Sequence, residues 1–238
     1  MQIYSINELE SLIKGNPYVG RGIIIGKNTD GKAVTAYFIM GRSENSRNRI
    51  FCEEDGCIKT KAFDESKVED PSLIIYNAVR TLDNKLIATN GDQTDTIYDG
   101  IAAGKSFSEA LRSREFEPDH PNLTPRISGM ITFENGDFTY QMSILKSIDA
   151  EGSDCARYTF EYPSKPGLGH FIHTYVTNGN PLPTFQGEPE RVALTDDIDA
   201  FTVRLWNALD AENKISLYVR YDDPADGTTE SRLINKNK

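Results

Sequence analysis

Apolar residues in this chain fall into short runs separated by polar turns. Most runs carry the two-residue period of strands rather than the 3.6-residue period of helices. Arg21-Gly22-Ile23-Ile24-Ile25-Gly26 is a β-branched run that predicts a buried strand; Asn28-Thr29-Asp30-Gly31 predicts a turn, and residues 33–40 a second strand. Residues 50–53 and 57–62 flank Asp55-Gly56 as a hairpin, and residues 73–82 and 85–89 flank Asp83-Asn84 as another. Further strands are predicted at 126–133, 138–145, 155–162, 169–176 and 215–221. Helical signals are fewer. Ser5-Ile6-Asn7-Glu8 and Ser106-Phe107-Ser108-Glu109 are capping boxes that predict helices running to about Gly15 and Arg114. Residues 93–104 carry Ile97, Ile101 and Ala102 at helical spacing. Residues 195–213 read as an amphipathic helix with Ile198, Phe201, Val203, Leu205, Trp206 and Leu209 toward the core. Residues 117–124 and 178–189 read as loops, and the tail from Asp222 as polar and mobile. Strands, two helices, strands and a final helix predict an α+β fold with two antiparallel sheets sandwiched by helices. One domain over residues 1–238 accounts for the length, with 1–16 as a helical extension and 222–238 as the tail.

Charge changes the picture locally. The chain is acidic, with 36 Asp+Glu against 26 Lys+Arg, which argues against general nucleic-acid binding. Residues 1–50 nevertheless hold 7 Lys+Arg and 4 Asp+Glu, a net of +3, so the rest carries −13. That excess surrounds Gly41-Arg42-Ser43-Glu44-Asn45-Ser46-Arg47-Asn48-Arg49, where three arginines fall within eight residues. Guanidinium forks match phosphate or carboxylate in paired hydrogen bonds, so this turn is a candidate anion pocket; the alternative is a solvated hairpin turn. The three cysteines lack a framework spacing, which points to a reducing compartment. Cys52 and Cys57 could face each other across their hairpin, leaving a disulfide or metal site as the lesser alternative. With no apolar run of membrane-spanning length and no leader pattern, a soluble cytoplasmic protein is expected.

Phosphate-loop, dinucleotide and zinc-protease signatures are absent from the sequence. The histidines are His120, His170 and His173; the last two lie three apart on a strand, hence on opposite faces, and no metal site is expected from them. Polar residues do collect at strand ends. Arg21 opens a strand, Tyr76, Asn77 and Arg80 interrupt another, and Thr124-Pro125-Arg126 begins a third. Asn90-Gly91-Asp92-Gln93-Thr94-Asp95 sits where a strand passes into a helix, a place that can present free N–H groups to an anion; a plain N-cap is the other reading of Asp92 or Thr94.

These residues together resemble the archaeal-type IMP cyclohydrolases. The resemblance runs through Tyr18-Val19-Gly20-Arg21, Ala36-Tyr37, Arg42-Ser43, Asn48-Arg49, Tyr76-Asn77-Ala78-Val79-Arg80, Thr89 to Ile97, and Thr124-Pro125-Arg126-Ile127, and more loosely His173-Thr174-Tyr175. It implies a four-layer αββα fold like that of N-terminal-nucleophile hydrolases, used without a processed N-terminal nucleophile. It also implies closure of 5-formamidoimidazole-4-carboxamide ribonucleotide to IMP with loss of water, without metal or redox cofactor, by a homo-oligomer with no nucleic-acid or membrane partner. As catalytic residues it suggests Arg21, Tyr76, Asp92, Arg126 and Tyr175. For the nucleotide it suggests Arg42, Ser43, Arg47, Arg49, Asn77, Asn90, Gly91, Thr94 and Thr124, with the arginine turn holding the phosphate. The chain departs from the pattern in its first 16 residues and at 178–190. Two alternatives stand beside this reading: an amidohydrolase using Ser43, Ser46 or Cys52 as nucleophile, and a purine-nucleotide sensor without turnover.

Overall fold

The computed structural model describes residues 4–68 and 75–237. The helices are α1 (Leu9–Ile13), α2 (Glu44–Arg47), α3 (Gln93–Ala102), α4 (Phe107–Ala110) and α5 (Ile198–Ala208). The strands are β1 (Arg21–Lys27), β2 (Ala33–Met40), β3 (Arg49–Glu54), β4 (Cys57–Ala62), β5 (Asn77–Leu82), β6 (Lys85–Thr89), β7 (Arg126–Glu134), β8 (Asp137–Ser147), β9 (Cys155–Pro163), β10 (Leu168–His173), β11 (Glu190–Ala193), β12 (Lys214–Asp222) and β13 (Thr229–Asn235). They form two antiparallel sheets, ordered β11-β10-β1-β2-β12-β13 and β3-β4-β5-β6-β7-β8-β9.

Alternation along each strand sorts side chains into three apolar layers. Ile23 and Ile25 of β1 join Tyr37, Ile39, Ile127, Ile131 and Ile144 between the sheets. Ile24, Ala36 and Phe38 face the other way, against Ile13 of α1 and Phe201 and Leu205 of α5. On the far side of the second sheet, Ile87, Met130 and Leu145 meet Ile97 of α3 and Phe107 of α4. Gly129 of β7 leaves room for the facing sheet, since a Cβ there would lie 2.4 Å from Ile25 Cδ1.

Several expectations are corrected. The Ser5–Glu8 box does not form: Asn7 is drawn into a bridge with Val192, and α1 starts at Leu9 with no side-chain cap. The Ser106 box does form, Ser106 and Glu109 each capping the other's backbone. Val203 is 56% exposed on the outer face of α5. The tail from Asp222 includes β13, which pairs with β12 over seven positions from Ser216↔Asn235 to Asp222↔Thr229. The strand expected at 169–176 ends at His173, and β11 follows the 178–189 loop unpredicted. Of the strand expected from residue 73, Leu73 and Ile74 lie outside the described residues. Cys52 pairs with Lys59 and Cys57 with Glu54, so the cysteines are not opposite, and all three are free.

Candidate functional site

β1, β3 and β5 each begin at the same end of the space between the sheets. Arg21 opens β1 on the face shared with Ile23 and Ile25, and Arg49 opens β3 on the face shared with Phe51. The two guanidinium groups are thereby driven inward. Arg49 is 1% exposed; its Nε donates to Ser46 O at 2.7 Å and its Nη2 to Met40 O at 3.4 Å. Its Nη1, like Arg21 Nε, is buried with no hydrogen-bond partner among the described residues. Burial, then the Arg21 charge, pulls the Arg49 pKa down. Burial works against the Arg21 charge as well, but Tyr18, Glu117, Tyr175 and Tyr76 outweigh it and lift its pKa. Two positive charges buried together with open N–H groups form a receptive place for an anion or a polarised carbonyl oxygen.

Phenols and carboxyls line this place. Tyr37 and Tyr76 share a buried hydrogen bond, Oη to Oη at 2.7 Å, and burial raises both pKa values, with Arg49 and Arg21 pulling the other way. Glu117 is buried, and burial raises its pKa against the pull of Arg21, Arg126 and Arg49. Tyr175 lies 2.5 Å from Thr124 Oγ1. Thr124 in turn donates through N and Oγ1 to the Asp119 carboxylate, at 2.6 and 2.5 Å. Tyr18 stacks on Tyr175 with centroids 5.9 Å apart. Arg42 lies 5.1 Å from the Tyr18 ring, and its Nη1 donates to Asn178 Oδ1 and Gly179 O at 2.6 and 2.8 Å. Gly20 makes the entry to β1 possible: its φ is +79°, and a Cβ would lie 2.1 Å from Thr174 Oγ1.

Of the residues suggested by the sequence, Arg21, Arg49, Tyr76, Thr124 and Tyr175 are brought together, with Arg42 at the rim. Ser43 caps α2 in a reciprocal box with Ser46. Arg47 turns away, donating to Gly41 O and to Asn213 Oδ1 at 2.8 Å. Asn77 points to the α3 side of its sheet, where it and Arg80 bind Asp95. Asn90 is consumed internally: its amide donates to Pro125 O, and its Oδ1 accepts from Ile127 N and Gln93 Nε2. Thr94 shares a hydrogen bond with Thr89, Oγ1 to Oγ1 at 2.7 Å. Asp92 makes no cap bond; its carboxylate, 47% exposed, bridges Arg126 at 2.8 Å and Arg114 at 2.9 Å. Gly91 lets Arg126 lie against the turn, since a Cβ there would be 2.6 Å from Nη1.

Sequence reasoning missed Glu117 and Asp119 because both sit in a polar, Pro-containing loop that reads as solvated. Tyr18 and Tyr37 were visible only within the resemblance, not as site residues. None of the nucleophile candidates is activated. Ser43 and Ser46 are occupied with each other, and burial raises the Cys52 pKa, away from the reactive thiolate. Among the described residues no cluster of three or more His, Cys, Asp or Glu could hold a metal, and no helix is long and apolar enough to cross a membrane.

The fold and the site define an α+β protein of two antiparallel sheets with a buried arginine–tyrosine cluster between them. The chain belongs to the IMP cyclohydrolase-like protein family, whose sequence pattern matches residues 18–227 and takes in every residue of that cluster. It is similar to the IMP cyclohydrolase of Methanopyrus kandleri, at 34% identity over 162 residues covering 63% of this chain and 81% of that one. The IMP cyclohydrolase of Methanococcus aeolicus is 29% identical over 162 residues, 66% of this chain and 74% of its own. That of Methanosphaera stadtmanae is 27% identical over 165 residues, 68% and 75% of the two chains.

Proposed function

We infer that this chain closes 5-formamidoimidazole-4-carboxamide ribonucleotide to IMP with release of water, a step of purine biosynthesis. The observation that carries the chemistry is the pair of buried guanidinium groups, Arg21 and Arg49, with unfilled N–H positions beside four phenols. The carboxamide nitrogen attacks the formyl carbon, forming the C–N bond and placing charge on the formyl oxygen. That nitrogen then loses one proton and the formamido nitrogen another, both passing to the formyl oxygen, and the C–O bond breaks to release water as the formamido nitrogen forms a C=N double bond to the same carbon. An amide is a poor nucleophile, so fixed donors at the developing charge supply most of the assistance, each worth roughly 3–4 kcal/mol in such sites.

In this reading Arg21 and Arg49 take the formyl and carboxamide oxygens. Tyr76, hydrogen-bonded to Tyr37, and Glu117, whose pKa burial raises, carry protons to the departing oxygen. Tyr175 and Tyr18 flank the purine, and Arg42 at the rim meets the phosphate. The Asp92–Arg126 pair, Asn90 and Thr94 hold the turn under Gly91 rather than touching the base, and Arg47 and Asn77 act outside the pocket. The layering agrees with the αββα sandwich of N-terminal-nucleophile hydrolases, and a homo-oligomer in the cytoplasm fits the role. Purified protein given the formamido nucleotide forms IMP at a rate proportional to enzyme. Tight binding of the nucleotide with no IMP would instead make the chain a nucleotide sensor.

A further inference from the structure

Strand β9 closes one side of the second sheet, and no strand pairs with its outer edge among the described residues. Its register with β8 is continuous over nine pairs from Thr139↔Pro163 to Ser147↔Cys155, with no bulge. It contains no lysine and no internal proline, two of the usual devices that shield an open edge. Two other edges are closed by the chain itself. At β3, the Asn235 side chain binds Phe51 N and O at 2.8 and 2.9 Å, and at β11 residue Asn7 bridges Val192. The remaining edge, β13, is fringed by Glu230 and Arg232, which are taken by Lys32 and Asp199.

The sequence of β9 is self-complementary about Thr159. Arg157 and Glu161, both exposed, lie on one face two residues to either side of it; Tyr158, 47% exposed, and Phe160 lie on the other face one residue to either side. An antiparallel second strand on a dyad at Thr159 sets Arg157 opposite the partner's Glu161, twice, and Tyr158 opposite the partner's Phe160, twice. Both kinds of cross-strand pair attract, and each repeats by symmetry. Among the described residues Arg157 donates to Cys155 O and Arg114 O and lies 3.5 Å from Glu115, and Glu161 accepts from Gln141.

We propose that β9 is a dimerisation edge: two copies pair antiparallel along it about a dyad at Thr159, joining two seven-stranded sheets into one of fourteen strands. This is independent of the ring-closure reading, because β9 supplies no residue to the arginine–tyrosine cluster. Sedimentation equilibrium of the full chain tests it. Wild type sediments at no less than twice the 26.6 kDa of one chain. Glu161→Arg sets arginine against arginine on both sides of the dyad and halves the mass. The double variant Arg157→Glu with Glu161→Arg restores opposite signs and returns the wild-type mass. Far-UV circular dichroism checks that each variant is folded. If Glu161→Arg does not fold, hydrogen exchange on wild type decides: amides of residues 156–162 exchange slowly at high concentration and quickly on dilution. A wild-type monomer at tens of micromolar, an unchanged mass for Glu161→Arg, or concentration-independent exchange overturns the proposal.

Discussion

At the residue scale the informative contrast is among Arg42, Arg47 and Arg49, three like residues within one turn. Each meets a different fate: Arg42 donates to the Asn178 side chain and to Gly179 O and lies over Tyr18, Arg47 binds Asn213, and Arg49 is buried beside Arg21. Burying Arg49 near a like charge costs stability that a bound anion repays. Arg49→Met keeps the aliphatic stem and removes the charge. Urea unfolding of the ligand-free variant is therefore expected to match wild type within about 1 kcal/mol or exceed it. Turnover falls at least about 100-fold, as for loss of a donor at developing charge. A loss of several kcal/mol in the ligand-free protein would show that Arg49 is a structural residue instead.

At the element scale the segments that strand period and turn chemistry define are the ones that came out as read. The Asp55-Gly56 and Asp83-Asn84 hairpins form, with Asp55, Gly56 and Asp83 all at positive φ, and the Ser106 capping box starts α4. The failures lie where a distant partner competes. Asn7 leaves its box for Val192, and the polar residues after Asp222 are held by a ladder to β12 that local composition does not reveal. Asn235 makes the consequence measurable. Its side chain serves both Phe51 N–H and Phe51 C=O while accepting from Ser216 Oγ, so one amide joins β13 and β12 of one sheet to β3 of the other. Asn235→Ala strands those groups and is expected to cost about 2 kcal/mol, seen as a lower urea midpoint with an unchanged slope.

At the scale of the whole molecule the site exists only in the folded chain. Tyr18, Arg49, Tyr76, Glu117 and Tyr175 come from five separate segments: Arg49 opens β3, and the others lie in the loops before β1, β5 and β7 and after β10. A ligand that bridges them binds the native state and has no affinity for the unfolded one. IMP at a hundred times its dissociation constant is thus expected to stabilise the protein by about 2.7 kcal/mol. In a chain of this length that is a rise in Tm of roughly 5–10 °C. Scanning calorimetry with and without IMP checks this, and Arg49→Met should lose most of the shift. An equal shift in the variant would place the nucleotide elsewhere.

The sequence by itself determined the local elements, the α+β class, the family, and the fact that arginines and tyrosines gather at strand starts. These follow from side-chain period, turn residues and short motifs, all of which act within about ten residues. Only the tertiary structure decided which members of those motifs form the pocket. Arg49 points inward because β3 begins at it and shares a face with Phe51, while Asn77 points outward because it is one residue beyond Tyr76 on the same pleat. Glu117 is buried because the loop ahead of β7 folds back, its N–H donating to Thr124 O at 2.8 Å. A one-residue change of register reverses every such assignment, and register is set by partners far away in the chain.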